Sequence, residues 1–107
     1  MTPATAALFD VLGDPTRRAI VSRVALGPVS VSALAGPLGI SLTAVGQHLR
    51  LLQDVGLVRS EKHGRTRTCT IRPEGLRAIE DWAHACRKEW DARLDRLGAM
   101  LDGLPED

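Results

Sequence analysis

Residues 31–52 read VSALAGPLGISLTAVGQHLRLL, and the spacing inside this stretch sets the fold. Ala35 and Gly39 stand four apart, and Val45 follows six further on. Val45, Leu49 and Leu52 lie at spacings of four and three, which puts them on one face of an α-helix. Ser41 can cap the start of that helix, and Gly56 ends it. A shorter helix runs from about Ser30 or Val31 to Leu38. A small residue at position 35 lets the two helices approach closely, and glycine at 39 takes the tight turn between them. The aliphatic Val45 then locks the second helix onto the first. This is the pattern of a helix-turn-helix, which offers the N-terminal end of its second helix to a groove. An ordinary helical hairpin with polar residues facing water has the same spacing, so the flanking segments must decide. One residue cuts across the pattern: Pro37 falls inside the short helix and predicts a kink there.

Downstream, Leu57 to Lys62 reads as a strand, His63-Gly64 as a turn, and Arg65 to Arg72 as the returning strand. Thr66, Thr68, Thr70 and Ile71 supply good strand formers. The tip of this hairpin is basic, and a basic hairpin after a helix-turn-helix is a natural wing. Upstream, residues 4–12 (ATAALFDVL) have helical apolar spacing. Asp14-Pro15 then opens a helix carrying Ile20, Val21 and Val24, which stops at Gly27-Pro28. Pro73-Glu74 starts a last helix that reaches about Leu101. The expected fold is mainly α with a small β-hairpin, a winged helix-turn-helix in the order ααααββα. Residues 1–107 are read as one domain, with the helix-turn-helix at about 31–55, the wing at about 57–72 and a C-terminal helix at about 73–101.

Composition fits such a domain. Apolar residues make up 44% and charged residues 25%, an ordinary globular balance. A chain of 107 residues buries a limited core, so association would add stability. No charged leader precedes an apolar run, no stretch approaches membrane-spanning length, and the two cysteines suggest no disulfide framework. A cytoplasmic protein without membrane contact is the expectation. The formal net charge is only +1, but the charge is unevenly placed. Residues 41–72 hold six basic residues against two acidic, whereas residues 73–107 hold five basic against nine acidic. A basic middle and an acidic C-terminal third suggest that one face meets phosphate and another turns away.

These features converge on double-stranded DNA as the partner. On the second helix of the motif, Leu42, Thr43, Gly46, Gln47 and Arg50 should face outward. Gln47 can pair bidentately with adenine, Thr43 can reach either type of base edge, and Arg50 can take guanine or phosphate. Ser41 at the helix start suits a phosphate. His48 suits a structural or phosphate-contacting role. In the wing, Lys62, His63, Arg65 and Arg67 should lie along the backbone or minor groove, and Arg17 completes the expected DNA-facing set. No nucleophile elbow, metalloprotease motif, GxGxxG or P-loop is present, so no enzyme is expected.

Several stretches together resemble the ArsR/SmtB family of bacterial repressors. They are Asp14-Pro15-Thr16-Arg17, Leu34-Ala35, Leu38-Gly39-Ile40-Ser41 and Ala44-Val45-Gly46-Gln47-His48-Leu49, completed by Leu52 and Gly56-Leu57-Val58. The resemblance is closest over residues 8 to 72. It implies a dimeric winged-helix repressor with the first and last helices at the dimer interface, released from DNA by an effector. Pro37 in the short helix is one departure from the family pattern, and two further sites differ from its members. Gly46 stands where the family usually has serine, which removes a hydroxyl and costs about 1 kcal/mol of helix propensity. Ser30-Val31-Ser32 stands where arsenic- and cadmium-sensing members carry Cys-Val-Cys, and hydroxyls are poor ligands for soft metals. The chain therefore resembles the subgroup without the cysteine metal-sensing motif. Asp81, His84 and Cys86 make a single incomplete cluster, so no metal and no cofactor are expected.

The last helix carries Leu76, Ile79, Ala83, Cys86, Trp90, Leu94, Leu97 and Leu101 at spacings of three and four. A small domain cannot easily cover so long a stripe, so a partner helix is expected. Leu8, Phe9, Trp82, Cys86, Trp90, Leu94, Leu97 and Leu101 form the expected homodimer interface. A dimer would match an operator built as an inverted repeat. The reading is a sequence-specific DNA-binding transcriptional regulator acting as a homodimeric repressor. Its rival is a winged-helix protein-interaction module that binds no DNA. For Cys69 and Cys86, a redox role competes with that of small apolar fillers.

Overall fold

The computed structural model describes residues 1–105. Helix α1 spans Pro3–Leu12 and α2 spans Pro15–Ala25. Both begin in the way their sequences dictate. Thr2 Oγ1 accepts from the Thr5 N–H, an Asp14 carboxylate oxygen accepts from the Arg17 N–H, and proline follows each cap. Strand β1 (Val29–Ser30) leads directly into α3 (Val31–Leu38), and α4 (Leu42–Asp54) follows after a three-residue turn. The wing is β2 (Val58–His63) and β3 (Thr66–Ile71), and α5 spans Pro73–Asp102.

The turn between α3 and α4 is a Schellman motif. Gly39 takes φ +66°, its N–H bonds the Gly36 carbonyl, and the Ile40 N–H bonds the Ala35 carbonyl. Only glycine enters that region without steric cost, which is why the turn falls there. The kink expected at Pro37 does not interrupt α3. Pro37 is the penultimate residue of an eight-residue helix, so the bond it cannot make, to the Ala33 carbonyl, is one of the last in the helix and few residues follow the break.

Two boundaries differ from the sequence reading. Val29 and Ser30 form a third strand, pairing with Cys69 and Thr68, so the antiparallel sheet runs β1-β3-β2. Two residues are too few to show an alternating pattern; the open edge of β3 recruits them. His63 belongs to β2 and pairs with Thr66, so the wing turn is Gly64-Arg65 rather than His63-Gly64.

The core gathers Leu8, Ile20, Val24, Leu34, Val45, Leu49, Leu52, Leu57, Val58 and Cys69. It joins the helix-turn-helix to the base of the wing, so both are held by the same apolar cluster. Helix α5 docks through its first turn: the Arg72 N–H donates to the Leu57 carbonyl at 2.9 Å, and Gly75 is buried against Gly56. Phe9 and Trp82 meet edge to face at 4.8 Å between ring centroids, pinning α1 to α5. From Ala83 to Leu97, α5 is exposed at every residue. The projecting helix gives the molecule extents of 75 × 24 × 22 Å. Among the described residues, no helix is long and apolar enough to cross a membrane.

Candidate nucleic-acid interface

The α4 helix divides its residues as its spacing requires. Val45, Leu49 and Leu52 are buried, while Leu42, Thr43, Gly46, Gln47 and Arg50 are exposed on the opposite side. Ser41 Oγ accepts from the Ala44 N–H at 3.1 Å, so this side chain caps the helix. A Cβ added at Gly46 would meet nothing within 4 Å, so the middle of the outward face is a notch between Thr43 and Gln47.

Arg17 and His48 sit behind that face. The Arg17 guanidinium donates from Nε to the Val11 carbonyl at 2.6 Å, and its Nη1 lies 3.5 Å from His48 Nδ1. Both residues are half-buried. Arg17 is thus a strut joining the end of α1 to α2 and α4. It also acts on Asp14, whose carboxyl is held below the usual carboxylate range. The main cause is the hydrogen bond from the Arg17 N–H; burial opposes it in part, and the positive charge of Arg17 adds to it.

On the wing, Lys62, His63, Arg65 and Arg67 are all exposed. Lys62 lies directly across from Arg67 in the ladder, and Arg65 occupies the turn. Glu61 makes contacts with Arg59 and His63 at 3.5 Å each, surface pairs worth little in water. An open groove of about 240 Å³ separates the wing tip from the starts of α3 and α4. Its lining is Val31, Ser32, Leu42, Arg65, Thr66 and Arg67. The wing therefore stands beside the N-terminal end of α4, and its arginines flank the same opening as Leu42.

Two polar residues outside the expected set join these elements. Arg67 Nη1 donates to Ser60 Oγ at 3.1 Å, and Ser60 Oγ donates to Gln53 Oε1 at 3.1 Å. Gln53 lies near the end of α4 and Ser60 in mid-β2. Nothing in the residue types marks them, because the fold brings them together around the Gly56 turn. Near the start of α3, Ser30 Oγ and Ser32 Oγ stand 3.4 Å apart.

The expected dimer residues separate into two groups. Leu8 is only 3% exposed within its own chain, so it belongs to the core and has almost no surface left for a partner. Phe9 and Trp82 are half-buried against each other. Cys86, Trp90, Leu94, Leu97 and Leu101 are exposed on α5.

A helix-turn-helix whose second helix has an open polar face, followed by an arginine-bearing hairpin beside it, defines the winged-helix class of DNA-binding proteins. Comparison with known proteins narrows the class. A helix-turn-helix domain family model matches residues 12–61. The HTH-type transcriptional regulator Rv2034 of Mycobacterium tuberculosis is 44% identical over 99 residues, covering 92% of this chain and 90% of that protein. The crystal structure of the ArsR family transcriptional regulator RHA00566 superposes with a TM-score of 0.77 at 38% identity, covering 85% of this chain and 95% of the other. The homodimeric winged helix-turn-helix domain of Mb0332 from Mycobacterium bovis shares the fold at a TM-score of 0.65 and 24% identity, covering 80% of each chain. The chain belongs to the ArsR family of helix-turn-helix transcriptional regulators.

Proposed function

We propose that this regulator is a cytoplasmic, homodimeric repressor that binds an operator built as an inverted repeat. The observation that carries this reading is the placement of the arginine wing beside the exposed N-terminal end of α4. A groove reader inserted there, with Thr43, Gln47 and Arg50 toward base edges, has Arg65 and Arg67 next to it for the backbone or minor groove. Ser41, Leu42, Lys62, His63 and the notch at Gly46 border the same surface. Arg17 and His48 support α4 from behind, His48 with its outer edge toward the backbone.

Pairing follows from α5. Its apolar stripe of Trp90, Leu94, Leu97 and Leu101 is exposed in the single chain, and a second copy laid against it would bury that surface. Mb0332, which shares the fold, is homodimeric. Two copies related by a two-fold axis present two α4 helices, which matches paired half-sites.

The test begins with duplexes selected from a random pool by the parent chain, followed by titration across salt concentrations. A DNA regulator yields an enriched half-site in inverted repeat and a steep salt dependence. Arg65→Ala should weaken binding to every sequence and reduce the salt slope by about 1. Absence of any enriched sequence would favour a protein-interaction module instead.

A further inference from the structure

We propose that Gln53 and Ser60 are positioning residues for DNA binding, forming with Arg67 a relay that fixes the wing relative to the groove-facing helix. The inference rests on the DNA-binding reading above and assigns a role to two residues that touch no DNA in it.

The chemistry of the three groups gives the relay one direction. A guanidinium can only donate, so Ser60 Oγ accepts from Arg67. The hydroxyl has one proton, and that proton goes to Gln53 Oε1. The bond from a charged donor polarises the hydroxyl and strengthens its own donation, so the two bonds support each other. Gln53 belongs to α4, Ser60 to β2 and Arg67 to β3, so the relay crosses from the helix through both strands of the wing.

Its position explains why such a tie matters. The apolar base of the wing ends at Val58 and Cys69, which are buried. Ser60 pairs across the ladder with Cys69, and Lys62 with Arg67. Strand residues two apart share a face, so Arg67 and Lys62 continue the core-facing side of the hairpin past the point where the core stops. Beyond that point an exposed two-stranded ribbon has little to hold its angle. The relay is the side-chain link from this outer part of the hairpin back to α4. It also holds the Arg67 guanidinium at the wall of the groove that opens beside Leu42. Wing and helix can then meet one duplex in a preset register, rather than ordering the hairpin on binding at an entropic cost.

The experiment compares the parent chain with Ser60→Ala, Ser60→Thr and Gln53→Ala. None of these changes removes a positive charge, so an effect on DNA cannot come from lost phosphate attraction. Two measurements are made. Backbone amide ¹⁵N relaxation reports the order of residues 62–67 in the free protein. Titration with the duplex selected by the parent chain reports affinity. Ser60→Ala, which removes both bonds, and Gln53→Ala, which removes the link to α4, should each lower the order of the wing tip and reduce affinity by up to about tenfold. Ser60→Thr keeps the hydroxyl and should restore both. The combined Ser60→Ala, Gln53→Ala variant should lose no more than either alone, because the relay is a single unit.

Unchanged wing order in Ser60→Ala would overturn the proposal, as would an affinity loss that threonine fails to restore. Failure of the underlying reading looks different. The parent chain would then select no duplex, while Ser60→Ala still loosened the wing. In that case the tie is real and its role in DNA binding is overturned.

Discussion

Gln47 stands on the open side of α4 beside a residue with no side chain, so its amide has room to lie flat against a base edge. A bidentate pair with adenine discriminates against other bases by about 1–3 kcal/mol. Gln47→Ala should therefore bind the selected duplex and its adenine-substituted variants with nearly equal affinity, while non-specific binding stays unchanged. Parallel titrations with the two duplexes check this. Cys69 offers a second test at the same scale. It is fully buried between β1 and β2, and burial pushes its thiol above the ordinary range, with nearby Arg67 partly opposing the shift. The folded state therefore holds the thiol proton more firmly than the unfolded chain does. Stability from the neutral thiol is complete below the unfolded thiol pKa of about 8.5 and is lost as pH rises through the folded value. Urea unfolding at neutral and alkaline pH should show a steeper alkaline decline in the parent than in Cys69→Ala. An equal decline in both would contradict the assignment. The outward residues of α4 were accessible to pattern reading, since a helical period sorts faces; the reading of Cys69 left a redox role and a small apolar filler open, and its burial came from the structure. The bracing of Arg17, expected only in the DNA-facing set, was not accessible, because its partners Val11 and His48 lie at distant or unmarked positions.

At the scale of elements, the same substitution should have opposite signs at two glycines. Gly75 lies in the first turn of α5, and a Cβ there would come within 2.5 Å of the Gly56 carbonyl oxygen. That neighbour is backbone and cannot swing aside. Gly75→Ala should force α5 off the start of the wing and cost about 1–3 kcal/mol. Gly46 is also helical but faces open space, so Gly46→Ala should gain up to about 1 kcal/mol from helix propensity. Thermal unfolding of the two variants beside the parent decides the matter, and shifts of the same sign would refute the close contact. The helix-turn-helix was legible because Gly39, Ser41 and Val45 each perform a local task at a fixed offset. Strand β1 was not legible, because its two residues acquire their role only from the free edge of β3. Gly75 gave no signal either, since a helical glycine near a proline reads as a weak helix start until the opposing carbonyl is seen.

For the molecule as a whole, the long projecting α5 is the feature that asks for a partner. Its single-chain surface leaves Leu97 half exposed, with Trp90, Leu94 and Leu101 exposed around it. A carboxylate placed in the seam between two copies would be buried without a counter-ion, at a cost of several kcal/mol. Leu97→Asp should sediment as a monomer at micromolar concentration where the parent is a dimer. It should also lose cooperative occupation of paired half-sites while keeping the helical content of the parent. A parent chain that sediments as a monomer yet keeps full operator affinity would rule out pairing through this stripe. The division of charge fits the same plan, with the basic residues 41–72 forming the α4 and wing surface and the acidic excess lying on α5 and beyond.

By itself the sequence determined the order of the helices, the tight turn at Gly39, the outward face of α4, the basic hairpin and the unpaired stripe of α5. Each of these follows from local backbone preference or from a short period, and both act between residues near in the chain. Only the tertiary structure decided that Leu8 belongs to the core, that Arg17 braces α4, and that Val29 and Ser30 join the sheet. It also brought Gln53, Ser60 and Arg67 into one relay. Those outcomes depend on where distant segments come to rest against each other, and a one-dimensional pattern does not carry that information.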